Sequence, residues 1–226
     1  MTRPLAMCAL STPAVSRPSL VPELAVASQA GLRLIAGLDE AGRGAIAGPL
    51  VAAAVILPLG MPALAAMLDG VNDSKQLTAA QRASLYEAIA QVALTFGLGW
   101  VGPAEIDRHG ISFANIWAMR LALAQLSPVP EYLLVDGRVR LVGAPAPQEA
   151  IVRGDTLSLS IAAASILAKV TRDRMMAELD TTFPAYGFGR HKGYCTVGHQ
   201  AALAAAGPCL AHRHTFAPIL CQISKA

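Results

Sequence analysis

The chain has 226 residues, of which 54% are hydrophobic, 15% are charged and 5% are aromatic, and its formal net charge is +3. This composition excludes a chain that is disordered throughout, because disorder requires low hydrophobicity and a high net charge. The length suits one domain, or one domain with a tail, with enough residues to bury a core. Eighteen basic residues against fifteen acidic ones are too even a balance to indicate a nucleic-acid partner on their own.

Cysteine usage and the apolar runs indicate a cytoplasmic protein with no membrane partner. The four cysteines form no CxxC pair, so reduced thiols are the simplest interpretation. A zinc site at Cys209, His212 and His214 is a weaker alternative, because it lacks a fourth ligand. The uncharged stretch 45–68 is long enough to cross a bilayer, but three prolines interrupt it, and its apolar part suits a buried strand better.

Strands and helices are predicted to alternate after residue 32. Residues 1–32 show no clear period and are predicted to form a tail or lead-in, ahead of a single domain over 33–226. The predicted elements are strands at 34–38, 50–57, 94–101, 132–135 and 150–153, and helices at 78–92, 111–126, about 156–179 and 196–206. Interleaved strands and helices indicate an α/β fold in which part of the sheet is parallel.

Acidic residues follow three of these strands. Asp39 and Glu40 come at the end of the first strand, Asp136 ends the strand at 132–135, and Asp155 follows the strand at 150–153. Sites in open α/β sheets form at the carboxyl ends of strands. Converging carboxylates repel each other, and Mg²⁺ or Mn²⁺ would keep them ionised and accept phosphate oxygens as ligands. The pattern favours two-metal phosphoryl transfer, although loop-edge charges or helix caps are the alternative.

The segment 42–47 also matches the GxGxxG/A spacing of dinucleotide-binding turns. That motif requires a helix to begin at once, with its amino end facing the pyrophosphate. Here Pro49 and an apolar strand follow instead, and Asp39 and Glu40 would face the phosphates. Conformation and charge both argue against a dinucleotide site.

Basic residues beside glycines suit phosphate contacts. Arg43, Lys75 and Lys192 lie next to glycine or turn-forming residues, where arginine and backbone N–H groups together can bind an anion. Plain surface solubility is the alternative for each of them. Tyr194 ends a basic, glycine-containing segment and could stack on a sugar or base, or be half-buried packing.

Together these segments resemble bacterial ribonuclease HII, a type 2 ribonuclease H. The motifs that carry the resemblance occur in the family's order at 37–44, 47–49, 72–77, 135–137, 153–155, 162–173, 191–194, 212–213 and 216. They extend over most of the chain after the predicted tail. The resemblance implies an α/β architecture of the ribonuclease H type, with a central mixed β-sheet flanked by helices and a C-terminal helical part.

The activity implied by the resemblance is metal-dependent endonucleolytic cleavage of the RNA strand of RNA–DNA hybrids. It includes nicking 5′ of single ribonucleotides in duplex DNA, with 3′-hydroxyl and 5′-phosphate products, for removal of ribonucleotides and RNA primers from DNA. By similarity, the catalytic and metal-binding residues are Asp39, Glu40, Asp136 and Asp155, and the cofactor is Mn²⁺ or Mg²⁺. Asp173 is implied as a supporting residue, which either orders the site through hydrogen bonds or helps to bind metal.

The substrate contacts implied by the resemblance are Gly42, Arg43, Gly44, Lys75, Lys192 and Tyr194. The glycine-flanked arginine turn resembles the one that grips the ribonucleotide 2′-OH and the neighbouring phosphate. The tyrosine matches one that stacks on the deoxyribose 3′ of the ribonucleotide, and the lysines are implied as phosphate contacts. Cys195 follows where the family more often has proline or a small residue, so a looser tyrosine loop is expected. We also expect a monomer, and no motif supports a replication-clamp contact.

Two other functions are also compatible with the sequence. A different nuclease of the same fold, such as a junction resolvase or a transposase-type enzyme, would also use clustered carboxylates but need not recognise a 2′-OH. A non-enzymatic hybrid-binding or clamp-associated protein would carry a vestigial site. The presence of all four principal acids argues against the second.

Overall fold

A five-stranded mixed sheet forms the centre of the computed structural model, which describes residues 17–71 and 77–223. The strands are β1 (Ile35–Ala41), β2 (Leu50–Ile56), β3 (Thr95–Val101), β4 (Tyr132–Asp136) and β5 (Gln148–Ile151). They lie in the order β3-β2-β1-β4-β5. β2 is antiparallel to both β1 and β3, whereas β1, β4 and β5 run parallel. The predicted central mixed sheet is therefore confirmed.

Helices flank the sheet and make up the C-terminal part of the chain. They are α1 (Val21–Ala30), α2 (Leu64–Met67), α3 (Ala79–Val92), α4 (Pro103–His109), α5 (Ile111–Leu123), α6 (Leu159–Thr182), α7 (Phe188–His191), α8 (Val197–Ala206) and α9 (Ala217–Ile223). Helix α3 begins with a full capping box, in which Thr78 and Gln81 exchange side-chain and backbone hydrogen bonds. Such a box satisfies backbone N–H groups that the first helical turn leaves unpaired.

Some predicted boundaries differ from the observed ones. The long helix begins at Leu159 rather than near 156, because the Ser158 hydroxyl accepts a hydrogen bond from the Ile161 N–H and so caps it. Residues 154–156 instead form a short 3₁₀ turn. β5 begins two residues earlier than predicted, at Gln148, and α5 ends at Leu123 rather than 126.

Two cores cover the two faces of the sheet. One packs alternate residues of β2 such as Val51 and Val55 against α6, and the other packs Leu50 and Ala52 against α5. Every residue of β2 is buried, which explains why this strand is apolar throughout rather than alternating. Within the described part of the chain, no helix is both long enough and apolar enough to cross a membrane.

Helix α1 falls in the segment that the sequence predicts to be a tail. Its Glu23 side chain is fully buried, and Glu23 Oε1 accepts hydrogen bonds from the Ser158 hydroxyl (2.6 Å), the Ser160 N–H (2.8 Å) and the Ser160 hydroxyl (2.6 Å). These contacts attach α1 to the first turn of α6. They join residues more than 130 positions apart, so the local sequence pattern could not predict them. Residues 1–16 lie outside the described part of the chain.

Candidate active site

The parallel pairing of β1 and β4 places two acids side by side at one edge of the sheet. The pairing between β1 and β4 ends at Leu38 and Val135. The next residue of each strand is an acid, Asp39 in β1 and Asp136 in β4, so the two acids lie next to each other. Asp155 follows β5 in the adjacent 3₁₀ turn. All of the predicted catalytic acids line one cavity of about 240 Å³, and its lining residues are Asp39, Glu40, Ala41, Gly42, Arg43, Gly44, Asp136, Asp155, Ser165, Lys169 and Tyr194.

Strand alternation directs the two acids of β1 toward different helices. Successive side chains of a strand point to opposite faces. Asp39 lies on the α6 side, where the Ser165 side chain forms a hydrogen bond with it. Glu40 lies on the α5 side, where the buried Asn115 amide is near enough to lower the pKa of the Glu40 carboxyl, although its atoms fall short of a full hydrogen bond. The cavity therefore receives acids from both faces of β1.

Burial and mutual repulsion raise the pKa values of three of these acids. Burial is the main reason that the pKa of Asp39 lies well above its ordinary value, and the charges of Glu40 and Asp136 raise it further. Burial also raises the pKa of Glu40, against the opposing effect of Arg43, whose guanidinium lies 3.5 Å from Glu40 Oε1. The pKa of Asp136 is raised by burial and then by the charge of Asp155. The native fold thus keeps these carboxylates where ionisation is unfavourable.

Backbone groups fix the orientation of two of the acids. The Gly154 N–H donates to Asp136 Oδ1 over 2.7 Å, and the Glu40 N–H donates to Asp39 Oδ1 over 2.7 Å. The turn that presents Gly154 begins at Arg153, whose φ of 58° lies in the left-handed region. That conformation is uncommon outside glycine, and here it brings the turn after β5 over the end of β4.

The donor set of the cavity suits a hard divalent cation. Carboxylate oxygens are the ligands that Mg²⁺ and Mn²⁺ prefer, and a bound cation would offset the repulsion that raises the pKa values. Across residues 17–71 and 77–223, no three His, Cys, Asp or Glu side chains are arranged to enclose one ion by themselves. The remaining ligands of such an ion would be waters or phosphate oxygens, which Mg²⁺ commonly retains.

The glycine-rich turn after β1 is held from the inside of the protein by Arg213. This arginine is fully buried; it donates to the carbonyl of Arg43 over 3.1 Å and twice to the carbonyl of Gly48, over 3.1 and 3.0 Å. Gly42 has a φ of 89°, and a β-carbon at this position would overlap the Arg172 guanidinium. Glycine at 42 is therefore required both by the backbone conformation and by the close approach of the arginine.

A second buried arginine, Arg172 of α6, connects this turn to the loop that carries the tyrosine. It donates to the carbonyls of Pro49 (2.8 Å), Ala47 (3.1 Å) and Lys192 (2.9 Å). Its guanidinium also lies 5.4 Å from the centre of the Tyr194 ring. Burial lowers the pKa of Arg172, and it lowers that of Arg213 to about 9.

The sequence patterns assign no individual role to the other residues that shape this site, which are Arg172, Arg213, Lys169, Ser165 and Asn115. A helical spacing of three and four residues does place Arg172 on the same face as Ser165 and Ala168. That spacing is the signal by which it could have been found. Arg213 offers no comparable local signal, because its carbonyl partners lie 165 and 170 positions away.

The structure separates two predicted residues, Asp173 and Lys192, from the cavity lining. Asp173 does not line it: Lys169 Nζ lies 2.7 Å from Asp173 Oδ1, and Arg82 Nη2 lies 3.6 Å from Asp173 Oδ2. Lys192 is not part of the lining either, and its Nζ contacts the Asp173 carbonyl at 3.5 Å. Lys75 lies outside the described residues.

Comparison with known proteins relates most of this chain to one family. The family model described as Ribonuclease HII matches residues 36–219. The chain is 53% identical over 190 residues to the ribonuclease HII of Geobacter sulfurreducens, covering 84% of this chain and 85% of that protein. It is 51% identical over 209 residues to the ribonuclease HII of Roseiflexus castenholzii, covering 92% of each.

Solved structures show the same relationship. The crystal structure of ribonuclease H2 from Pyrococcus horikoshii OT3 is similar with a TM-score of 0.72 and 28% identity, covering 84% of this chain and 97% of that one. The ribonuclease HII of Archaeoglobus fulgidus, solved in a complex with PCNA, gives a TM-score of 0.67 and 26% identity, covering 81% and 95%. Fold, cavity and sequence agree, and the chain belongs to the ribonuclease HII family and is a hydrolase of the ribonuclease H class.

Proposed function

We propose that this chain hydrolyses the RNA strand of RNA–DNA hybrids and nicks duplex DNA on the 5′ side of single embedded ribonucleotides. The products would be a 3′-hydroxyl and a 5′-phosphate. The observation that carries the proposal is the shared cavity, in which four carboxylates meet Arg43, Lys169 and the exposed ring of Tyr194. The carboxylates, which can bind cations, and the side chains that can contact a nucleic acid thus line the same cavity.

Asp39, Glu40, Asp136 and Asp155 would hold divalent cations, Mg²⁺ or Mn²⁺. When bound, two such ions would supply an activated water and stabilise the departing oxygen. The protein contributes orientation, because the backbone N–H groups of Gly154 and Glu40 hold the carboxylates of Asp136 and Asp39 in place. The ribonucleotide 2′-OH serves as a recognition group in this scheme, and it does not attack the phosphorus.

The turn after β1 is suited to recognise that 2′-OH, the group that distinguishes RNA from DNA. A β-carbon at Gly44 would meet no atom within 4 Å, so the space beside the backbone there is open to a ligand. The neighbouring Arg43 side chain is half exposed and can contact the adjacent phosphate. Gly42 shapes the turn, as its φ of 89° requires.

Tyr194 would detect the junction between RNA and DNA by stacking on the deoxyribose 3′ of the ribonucleotide. Tyr194 is 37% exposed, and two cations lie close to its ring, with Lys169 Nζ 5.7 Å and the Arg172 guanidinium 5.4 Å from the ring centre. Lys192, with Lys75 outside the described residues, is proposed as a phosphate contact. Asp173 is proposed as a supporting residue that orients Lys169. We expect the protein to act as a cytoplasmic monomer.

The decisive experiment uses a labelled DNA duplex that contains one ribonucleotide, with Mg²⁺ or Mn²⁺, with EDTA, and with an all-DNA duplex as the control. We expect metal-dependent nicking 5′ of the ribonucleotide that leaves a 3′-hydroxyl. Equal cleavage of the all-DNA duplex would indicate a nuclease that ignores the 2′-OH. Binding of the duplex without any nicking would indicate a vestigial site.

The junction role of Tyr194 has its own test. Tyr194→Ala should reduce cleavage of the single-ribonucleotide duplex about tenfold, as expected for the loss of one stacking contact, and should reduce cleavage of a long hybrid less. Tyr194→Phe keeps the ring and is the matched control. An equal loss on both substrates in Tyr194→Ala would contradict the role.

A further inference from the structure

Three histidine rings lie directly behind the Tyr194 loop, and the proposed chemistry uses none of them. His199 and His212 are fully buried, and their Nε2 atoms lie 3.1 Å apart. The ring of His191 stacks on that of His199 with 4.2 Å between centres. Cys209 and His212, which the sequence suggests as zinc ligands, are joined by hydrogen bonding instead: the Cys209 N–H donates to His212 Nδ1 over 2.9 Å.

Backbone groups at the two ends determine which ring nitrogens carry protons. The Cys209 N–H can only donate, so His212 Nδ1 must be unprotonated and, in a neutral ring, Nε2 must carry the proton. The His212 Nε2–H points at His199 Nε2, which therefore accepts a hydrogen bond from it and is itself unprotonated. His199 Nδ1 then carries a proton and donates to the Tyr194 carbonyl over 2.9 Å. Both ends demand the same direction, so the chain of hydrogen bonds is consistent throughout.

The third ring follows the same rule. The Gly193 N–H donates to His191 Nδ1 over 3.2 Å, so His191 Nε2 carries the proton and donates to the Tyr186 carbonyl over 2.8 Å. The carbonyl of His191 in turn accepts from the Tyr194 N–H over 3.0 Å. Tyr194 is thus held at its N–H by the His191 backbone and at its carbonyl by the His199 ring. The Thr196 N–H is a second donor to that carbonyl, at 2.8 Å.

Protonation of either buried ring would disrupt this chain of hydrogen bonds. A proton on His212 Nδ1 would face the Cys209 N–H, and a proton on His199 Nε2 would face the His212 Nε2–H. The titratable side chains packed against the two buried rings are His191, Tyr186, Cys209 and His214, and none of them is a carboxylate. Burial, followed by the proximity of His199, lowers the pKa of His212 to about 4, and burial also lowers the pKa of His199. Both rings are therefore neutral at neutral pH.

We infer that His212 and His199 are positioning residues for Tyr194, acting as a neutral hydrogen-bond relay from the Cys209 N–H to the Tyr194 carbonyl. The relay sets the height of the tyrosine ring above Lys169 and Arg172, and so its reach toward the bound sugar. This inference rests on the junction role proposed for Tyr194. The relay itself is a property of the folded chain and can be measured without substrate.

The first test measures the ring nitrogens directly by ¹⁵N NMR of the full-length protein at pH 7.5. We expect His212 as the Nε2–H tautomer and His199 as the Nδ1–H tautomer, both neutral. A charged ring at either position, or the opposite tautomer, would overturn the relay. This result does not depend on cleavage, so failure of the proposed function would leave it intact.

The second test asks whether the relay acts through the tyrosine. His199→Phe keeps a buried ring but removes both nitrogens, and we expect it to lower the ratio of single-ribonucleotide to long-hybrid cleavage, by no more than Tyr194→Ala lowers it, because small misplacements of a substrate-contacting group are costly. In a Tyr194→Ala background the same substitution should leave that ratio unchanged. His109→Phe, at a half-exposed histidine of α4, is the control.

The two backgrounds separate positioning from plain structural support. A general structural role would reduce cleavage of both substrates alike, and it would do so whether or not Tyr194 is present. Equal losses of that kind would overturn the inference, as would an unchanged ratio in His199→Phe. If His199→Phe is too unstable to assay, the tautomers of the wild-type protein decide the matter.

Discussion

Two groups of buried charge lie next to each other in this protein, and they are satisfied in opposite ways. Asp39 is 6% exposed and Asp155 is 7% exposed, while Arg172 and Arg213 are fully buried. The arginines direct their N–H groups at backbone carbonyls. The acids face each other: the charges of Glu40 and Asp136 raise the pKa of Asp39, and the charge of Asp155 raises the pKa of Asp136.

The difference follows from what each group can do chemically. A guanidinium has five donors in a rigid fork, and the loops after β1 and before α8 offer carbonyls that no strand or helix uses. An ionised carboxylate can only accept, and few donors reach this edge of the sheet. The arginines therefore complete the structure by themselves, whereas the acids remain unfavourable until a cation joins them. The buried arginines therefore stabilise the fold, whereas the buried acids are suited to bind a ligand.

The largest effect is expected from a substitution that neutralises one of the cavity acids. Asp39→Asn should reduce cleavage by at least about 10²-fold, as expected when one group that stabilises transition-state charge is lost. It should also raise the Tm without divalent metal, because it removes a carboxylate whose ionisation the fold disfavours. Cleavage assays and thermal melts measure the two effects.

Glu178→Gln, at an exposed acid of α6, is the control for that variant and should change neither quantity. Added Mg²⁺ should raise the Tm of the wild type more than that of Asp39→Asn. Undiminished cleavage, or a lower Tm without metal, would show that Asp39 is an ordinary structural residue.

The converse experiment removes a structural arginine. Arg172→Met leaves three buried carbonyls without their donor, so the free energy of unfolding should fall by about 3 kcal/mol. Arg174→Met, two residues along the same helix, loses an exposed ion pair with Glu87 at 3.3 Å and a contact with the Tyr86 ring, whose centre lies 4.6 Å from the guanidinium, and should change stability by about 1 kcal/mol. Equal effects in the two denaturation curves would contradict the assigned role of Arg172.

A smaller effect should appear in the pH dependence of stability. The pKa of Asp39 is raised in the native state, so the native protein binds this proton more tightly than the unfolded chain does. The destabilisation from Asp39 is therefore full at high pH and declines as the pH falls through the raised pKa. The Tm difference between Asp39→Asn and the wild type, without metal, should shrink as the pH is lowered from neutral toward the ordinary pKa of an aspartate. A constant difference would show that ionisation is not the cause.

The smallest expected effect concerns Asp173. Its carboxylate holds Lys169 at 2.7 Å, and loss of a helix ion pair of this kind is worth only about 0.5 kcal/mol. Asp173→Asn should therefore lower cleavage only about twofold, with Glu87→Gln as the control for a more exposed acid. A loss as large as that of Asp39→Asn would mean that Asp173 belongs with the metal-binding acids.

Much of the site could be predicted from the sequence because its acids are tied to local signals. The strands before Asp39 and Asp136 are short apolar runs, and parallel strands must bring their carboxyl ends to the same edge. The turn at Gly42 could be predicted for a similar reason, since glycine commonly occupies backbone conformations that other residues adopt with difficulty. Helical spacing makes Lys169 and Asp173 neighbours, but it could not predict that Lys169 lines the cavity and Asp173 does not, because that depends on how α6 is oriented against the sheet.

Patterns along the chain were enough to predict the alternation of strands and helices and the positions of the acids at strand ends, because these depend on neighbours a few residues away. Only the tertiary structure decided the docking of α1 through Glu23, the support of both binding loops by Arg172 and Arg213, and the histidine relay behind Tyr194. Glu23 and the two arginines reach partners 20 to 170 positions away. A buried polar group is satisfied by whatever the fold brings within hydrogen-bonding distance, and periodicity along the chain carries no record of that partner.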